Sequence, residues 1–550
     1  MNDSDRDFRP PPDNEVPLWV SAALLIAGIT VIARLLGLAR FFVLAQTVGT
    51  TDLGDVYATA NAVPNIVYEV VIGGALVAVV VPLVARAREQ DPQQVRPLIA
   101  GLHGWALMLL VPITALMYVG SAWVIEILLG SSKASTPQAT SVATEMLWVF
   151  LLQIPVYGAT VVAQGALQAH RRFLAPAIAP AISSVVVIAS FLVYAQLAGE
   201  SQGDLAALTT AEFWVLAGGT TAGVVALLLA QLPALVRSRL IVFPTLRFPT
   251  GQVARFRTLA LSGAVVVGSQ WLAYACAIRW SNVFGDEGSA LVFVLAWTLF
   301  LLPWSILALP IATSTFPQLT ELHARGDREG SARVTATSLR AVIAVSAAGA
   351  AGVAAASEPL AVVMVQGTKG VDAVPELSAM LLALAPGVLA YGVHGHLVRV
   401  LAARHRAPTA AAGTAFGWFV GLVVAWFGVT SAMGAVGVAT AIGAGFSVGV
   451  AVAALLLIGT VVRHDGRAAM KRVPQVTLVV GIAAVVVGTG LHLWLSSGAG
   501  ESRIIAAVQV VVAGALALLV VGGAATVVDP GAIGLLRKLR LVPKKVTRDE

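Results

Sequence analysis

Apolar runs of about twenty residues or more recur fourteen times along this chain, at 17–48, 55–85, 97–129, 138–168, 174–198, 211–236, 256–283, 289–320, 334–366, 376–402, 408–430, 433–461, 474–497 and 502–528. A helix of that length matches the hydrocarbon thickness of a bilayer and satisfies its own backbone there. The pattern predicts an all-α polytopic membrane protein with fourteen transmembrane spans. Composition agrees: 58% of the 550 residues are hydrophobic and 11% charged, too few charges for a soluble fold of this length. The single Cys276 excludes an internal disulfide and a cysteine metal cluster. Arg-rich, Ala-, Val- and Gly-rich usage suits a GC-rich bacterial genome.

Charge fixes an expected orientation. With the N-terminus inside, cytoplasmic segments hold 29 of the 35 Lys and Arg, and outside loops hold only Lys133, Lys369 and Arg503. That asymmetry predicts both termini in the cytoplasm. The net charge of +7 is then topological and needs no nucleic acid. The polar N-terminal tail, 1–16, is followed by a long apolar run without a small-residue cleavage site, so no cleavable signal is expected.

An internal repeat appears. Leu167-Gln-Ala-His-Arg-Arg-Phe-Leu-Ala-Pro176, between spans 4 and 5, has a counterpart in Leu401-Ala-Ala-Arg-His-Arg-Ala-Pro408, between spans 10 and 11. Span 2 carries Pro64 and Pro82, and span 8 carries Pro303 and Pro317. The reading is two six-span bundles, 17–236 and 258–461, joined by a cytoplasmic linker at 237–257 and flanking a cavity. Spans 13 and 14 (474–528) and a basic cytoplasmic tail, 529–550, follow. Paired prolines in spans 2 and 8 suit a carrier that rocks between two states.

Three basic residues stand inside the apolar runs: Arg34, Arg40 and Arg279. An arginine within a bilayer is costly and usually faces a watery cavity, which points to an anionic substrate. Six positions separate Arg34 from Arg40, so they point some 120° apart and lie about 9 Å apart along the axis. They can border one wide cavity, where guanidinium forks bind a pyrophosphate bidentately. Arg279, near the outer end of span 7, either serves the cavity or snorkels to the surface. Glu69 either pairs with an arginine of span 1 or is structural. Asn61 and Asn65 share a helix face and can line the cavity. Glu126 and Glu145 read as interfacial, and His394 and His396 as groups that titrate near neutral pH.

These segments resemble the MurJ (MviN) family of lipid II flippases, within the superfamily that includes MATE drug exporters. The resemblance rests on Ile32-Ala-Arg34-Leu-Leu-Gly37-Leu-Ala-Arg40, on Gly54-Asp55-Val-Tyr-Ala-Thr-Ala-Asn61-Ala-Val-Pro64-Asn65-Ile-Val-Tyr-Glu69-Val-Val-Ile-Gly73-Gly74-Ala75, on Arg172-Phe173 with Pro176 and Pro180, and on Leu302-Pro303 with Pro317. It implies two bundles around a V-shaped cavity, with spans 13 and 14 forming a hydrophobic groove. The implied activity is transfer of undecaprenyl-linked peptidoglycan precursor from the inner to the outer leaflet of the bacterial plasma membrane. Arg34 and Arg40 match the arginines that hold the pyrophosphate, and Asp55 matches an acid at the outer start of span 2; Asp55 and Glu69 are thus each expected to serve in gating or in an ion pair. The chain departs from the family at Phe41, where an acid is frequent, at Tyr68 and Thr298, where arginines are common, and at Gly73, where an acid stands.

No Walker loop and no His–carboxylate cluster is present, so neither a cofactor nor an enzyme activity is expected. Expected partners are a lipid-linked oligosaccharide pyrophosphate, membrane lipids and cell-wall synthesis proteins. The alternatives are a carrier of another polyprenyl-pyrophosphate glycan, a MATE-like cation exporter, which a cationic cavity disfavours, and a non-transporting scaffold of envelope synthesis. A membrane transferase ranks last for want of catalytic acids.

Overall fold

The computed structural model describes residues 18–70, 77–130, 136–246, 253–496 and 502–529. The tails at 1–16 and 530–550, Lys133, part of the expected linker and the Gly73-Gly74-Ala75 motif lie outside them. The first half contains α1 (Leu18–Thr47), α2 (Asp52–Tyr68), α3 (Val77–Gln90), α4 (Val95–Val119), α5 (Ser121–Leu129), α6 (Pro137–Leu151), α7 (Gln153–Ala169), α8 (Leu174–Ala198), α9 (Thr210–Phe213), α10 (Gly219–Leu229) and α11 (Leu232–Arg237). The second contains α12 (Val253–Phe284), α13 (Ser289–Pro303), α14 (Leu309–Ala324), α15 (Arg328–Ala355), α16 (Ser357–Val365), α17 (Val374–Ala403), α18 (Ala407–Ser431) and α19 (Gly434–Asp465), followed by α20 (Val473–Ser496) and α21 (Arg503–Val528). Thirteen stretches among the described residues are long and apolar enough to cross a membrane. At the remaining expected span, 55–85, α2 and α3 flank residues outside the described set.

The two halves break in the same places. Gly120 ends α4 and Ala356 ends α15 with almost the same backbone angles, φ −88° and ψ 7° against φ −93° and ψ 7°. Each is followed by a nine-residue helix, α5 or α16. The serine that opens it donates to the carbonyl three residues back, Ser121 to Tyr118 at 2.9 Å and Ser357 to Ala354 at 3.0 Å. The repeated basic turn behaves alike. Arg171 and His405 both adopt φ 57°, and the amides of Arg172 and Arg406 reach the carbonyls of Leu167 and Leu401, both at 2.9 Å. A left-handed non-glycine residue costs about 1–2 kcal/mol, and a basic charge at a helix C-terminus recovers part of it.

Packing follows the same plan. In the first half α1 lies along α8 and α8 along α10; in the second α12 lies along α18 and α18 along α19. Small residues set the last pair. A Cβ on Gly421 would meet the Gly445 carbonyl at 2.7 Å, and one on Gly449 would meet that of Gly417 at 2.9 Å, so two small-residue stripes bring the backbones together. Phe293, Trp297, Phe300, Trp418 and Phe446 fill the second bundle. Helices α20 and α21 pack together and against α15.

The last turn of α3, with Arg88, and the turns carrying Arg171, Arg325, Arg404 and Arg472 lie at one end of the assembly, the basic face. There Arg404 pairs with Asp465 and donates to Thr335 at 2.7 Å, while Arg340 meets Asp529 at 2.5 Å. The loops around Thr50, Gly288 and Gly370 form the opposite face.

Candidate functional site: a cationic cavity closed at one end

Helices α1 and α2 build one wall of the space between the bundles. Arg34 is exposed and Arg40 half-buried. The charge of Arg34 acts on Glu69 and Tyr68, and that of Arg40 on Tyr57 and Tyr157. Arg40 also lies over the Phe41 ring at 4.8 Å. Among the described residues, neither guanidinium comes within ion-pair distance of a carboxylate. Asn65 donates to the Asn61 carbonyl at 2.7 Å and accepts from the Tyr157 hydroxyl at 3.4 Å, while the Tyr68 and Tyr157 rings stand 4.2 Å apart. Hydrogen bonds thus join Asn61, Asn65 and Tyr157, with Glu69 in electrostatic reach of Arg34 and Tyr157 in that of Arg40.

The facing wall comes from α12, α13 and α17. Tyr391 donates to Gln270 at 3.1 Å, and its hydroxyl lies within the electrostatic reach of Glu69 across the gap. Thr298 turns its hydroxyl to the Val294 carbonyl of its own helix at 2.9 Å. Arg399 belongs to α17 and stacks over Trp304 at 5.4 Å. His394 and His396 are buried against neighbouring helices, bonding Thr414 at 2.8 Å and Ser338 at 2.9 Å.

Among the described residues, the hydrogen bonds found between the two halves lie at the Thr50 face. Asp55 enters no ion pair among the described residues; its buried carboxylate accepts the amides of Gly288 at 2.8 Å, Ala290 at 2.9 Å and Leu291 at 3.1 Å. Those are the free amides of the α13 N-terminus, which a carboxylate satisfies in both hydrogen bonding and dipole. Asn282 donates to Thr59 at 2.9 Å and to the Leu128 carbonyl at 3.0 Å. Thr50 forms a bridge with Gly370, and its hydroxyl donates to Val371 at 2.8 Å. Sequence reading missed this seam, because backbone acceptors and loop glycines leave no compositional mark. Arg279 stands at the seam, away from Arg34 and Arg40. It is exposed and donates to the Ile127 carbonyl, at the C-terminal end of α5 where carbonyls lack helical partners.

At the basic face no hydrogen bond or ion pair joins the two halves among the described residues. Two bundles of broken helices, hydrogen-bonded to each other at one end, are the architecture that carries this wall. A family model described as lipid II flippase MurJ matches residues 44–508, and the chain belongs to that family. The family is one of transporters, not enzymes. The chain is 28% identical over 173 residues to a lipid II flippase MurJ of Burkholderia cenocepacia, covering 31% of this chain and 33% of that one. It is 26% identical over 213 residues to a probable lipid II flippase MurJ of Synechocystis sp., covering 38% of each. The matched segments thus span little more than a third of those relatives. A solved lipid II flippase MurJ in an inward closed conformation shares the fold, with a TM-score of 0.68, 16% identity and coverage of 93% of this chain and 100% of that one.

Proposed function

We propose that the chain flips the polyprenyl-pyrophosphate-linked peptidoglycan precursor, lipid II, from the inner to the outer leaflet of a bacterial plasma membrane by alternating access. One observation carries the reading: among the described residues, Arg34 and Arg40 of α1 have no carboxylate in ion-pair distance. Arginine forks of that kind take a diphosphate, two oxygens to each guanidinium. An apolar crevice of about 560 Å³ between α1, α16 and α21, lined by Phe42, Val363, Ile504, Val508 and Val511, suits a polyprenyl chain that stays in lipid. The bundles 17–236 and 258–461 are the units that rock, with both termini in the cytoplasm and the basic face inward, as charge asymmetry directs. Partners on this reading are the cell-wall synthesis enzymes that supply and consume the precursor. A second reading, another polyprenyl-linked glycan, is favoured by Thr298, whose hydroxyl is spent on its own helix.

The test is lipid II translocation in vesicles holding the purified chain. Wild type should move lipid II, Arg34→Ala and Arg40→Ala should not, and lysine at either site should restore only part, since a point charge lacks the fork. Full transport by Arg40→Ala, or no transport by wild type, sinks the proposal. Cysteines at Glu200 and Asp286 should react with an impermeant reagent outside intact cells, and those at Gln90 and Arg467 should not.

A further inference from the structure

Arg399 is built into a platform. Four residues, about 6 Å, separate it from the last residue of α17 at the basic face. Its Nη1 donates to the Gly395 carbonyl at 2.9 Å while its guanidinium covers the Trp304 ring. Trp304 opens the π-helical turn Trp304–Ala308 after Pro303, closed where the Leu309 amide donates back to the Trp304 carbonyl. Such a turn rotates a side chain out of the regular helical register. The indole rests on Gly395, where a Cβ would come within 2.6 Å of it, so this helix position requires glycine. Tyr391 packs on the same indole with ring centres 5.7 Å apart.

The platform leaves one edge of the guanidinium open. Among the described residues, Nε and Nη2 of Arg399 have no acceptor, no carboxylate stands in ion-pair distance, and neither atom is among the sealed, unpartnered ones. That edge grips two oxygens of a phosphate side by side. Depth orders the cations. Arg399 is near the basic mouth, Arg34 is sixteen residues into α1, and Arg40 is six further toward the sealed face.

We propose that Arg399, seated on Trp304, is a reception site for a lipid-borne phosphate or diphosphate at the basic mouth, ahead of Arg34 and Arg40. It rests on the reading of the cavity as a carrier for a diphosphate-headed lipid. Trp304 is the positioning residue: it fixes the guanidinium plane so that little freedom is lost on binding.

Undecaprenyl diphosphate and, separately, phosphatidylglycerol are titrated against the full chain in phosphatidylcholine nanodiscs. Arg399→Gln should weaken undecaprenyl diphosphate about tenfold, the loss of one charge-assisted contact. Arg399→Lys and Trp304→Leu should fall between, and phosphatidylglycerol binding should not change. Unchanged affinity of Arg399→Gln for undecaprenyl diphosphate overturns the proposal, and so does a loss confined to phosphatidylglycerol, which would mark a headgroup anchor. In the translocation assay Arg399→Gln should raise the half-saturating concentration about tenfold and keep the maximal rate within about twofold. A lower maximal rate at unchanged half-saturation would make Arg399 structural. Because the titration needs no turnover, a wild-type chain that binds but fails to flip lipid II sinks the functional reading alone.

Discussion

Asp55 and Gly288 meet across the two bundles, the carboxylate Oδ2 accepting the amide at 2.8 Å. With Ala290 and Leu291 on Oδ1, one side chain of α2 holds the first turn of α13. Asp55→Asn removes the charge and replaces one acceptor with a donor. Hydrogen bonds to a charged group contribute about 1.5–3 kcal/mol, so the closed-to-open ratio should fall at least tenfold. Cysteines replacing Asp52 and Glu287 in a Cys276→Ser background report it, since the Asp52 amide lies 3.2 Å from the Glu287 carboxylate. An unchanged cross-linking rate would contradict this role.

Gly370 offers a second handle on the same seam. It has φ 96°, and a Cβ there would strike the Thr50 carbonyl. Gly199 has φ 55° with nothing within 4 Å of a built Cβ. Gly199→Ala should cost only the left-handed strain, about 1 kcal/mol, whereas Gly370→Ala should also pry the seam apart. Thiol labelling at position 52 should rise in the second variant and not in the first. Equal labelling would show that the loop at 370 yields freely.

Glu69 is the carboxylate whose charge meets that of Arg34. Glu69→Gln leaves Arg34 without an anionic neighbour, so a diphosphate should bind more tightly and leave more slowly. Half-saturation and maximal rate should both drop several-fold, the pattern of a stabilised bound state. Weaker binding would mean that Glu69 orients the arginine instead of competing for it.

Arg404 and Asp465 form a largely buried pair at the basic face, with Arg404 also bonded to Thr335. Asp465→Asn leaves the arginine uncompensated, which costs about 3 kcal/mol when a buried pair loses one partner. The melting temperature in detergent should fall, and Arg404→Leu with Asp465→Leu should recover part of the loss. A double variant less stable than Asp465→Asn would argue against that account.

Much of this was legible in the amino-acid order because the bilayer imposes one rule per span. Run lengths marked the helices, and period and charge cost, which act locally, singled out Arg34, Arg40, Asn61 and Glu69 on α1 and at α2. The basic turns at Arg171 and His405 announced the repeat, yet the matching breaks at Gly120 and Ala356 did not, because glycine and alanine are common throughout such helices. Arg399 and Arg279 show the limit. Distance from a run's end describes depth, not facing, and the two arginines end on opposite sides of that distinction. Asp55 was legible as an important acid, but its partners are amides, which every residue except proline carries.

The bonds that join the halves lie at the Thr50 face, beside the loops and not in the middle of the apolar spans. Their cost of rupture is therefore set by water. Donors and acceptors freed there can be hydrated, so a net loss of about 1 kcal/mol for a neutral pair, or about 1.5–3 kcal/mol for a bond to Asp55, replaces the larger penalty of hydrocarbon. A seal of this kind can be tight while shut and still open on a thermal timescale, and its stability should follow the activity of water outside the membrane more closely than the thickness of the lipid around it.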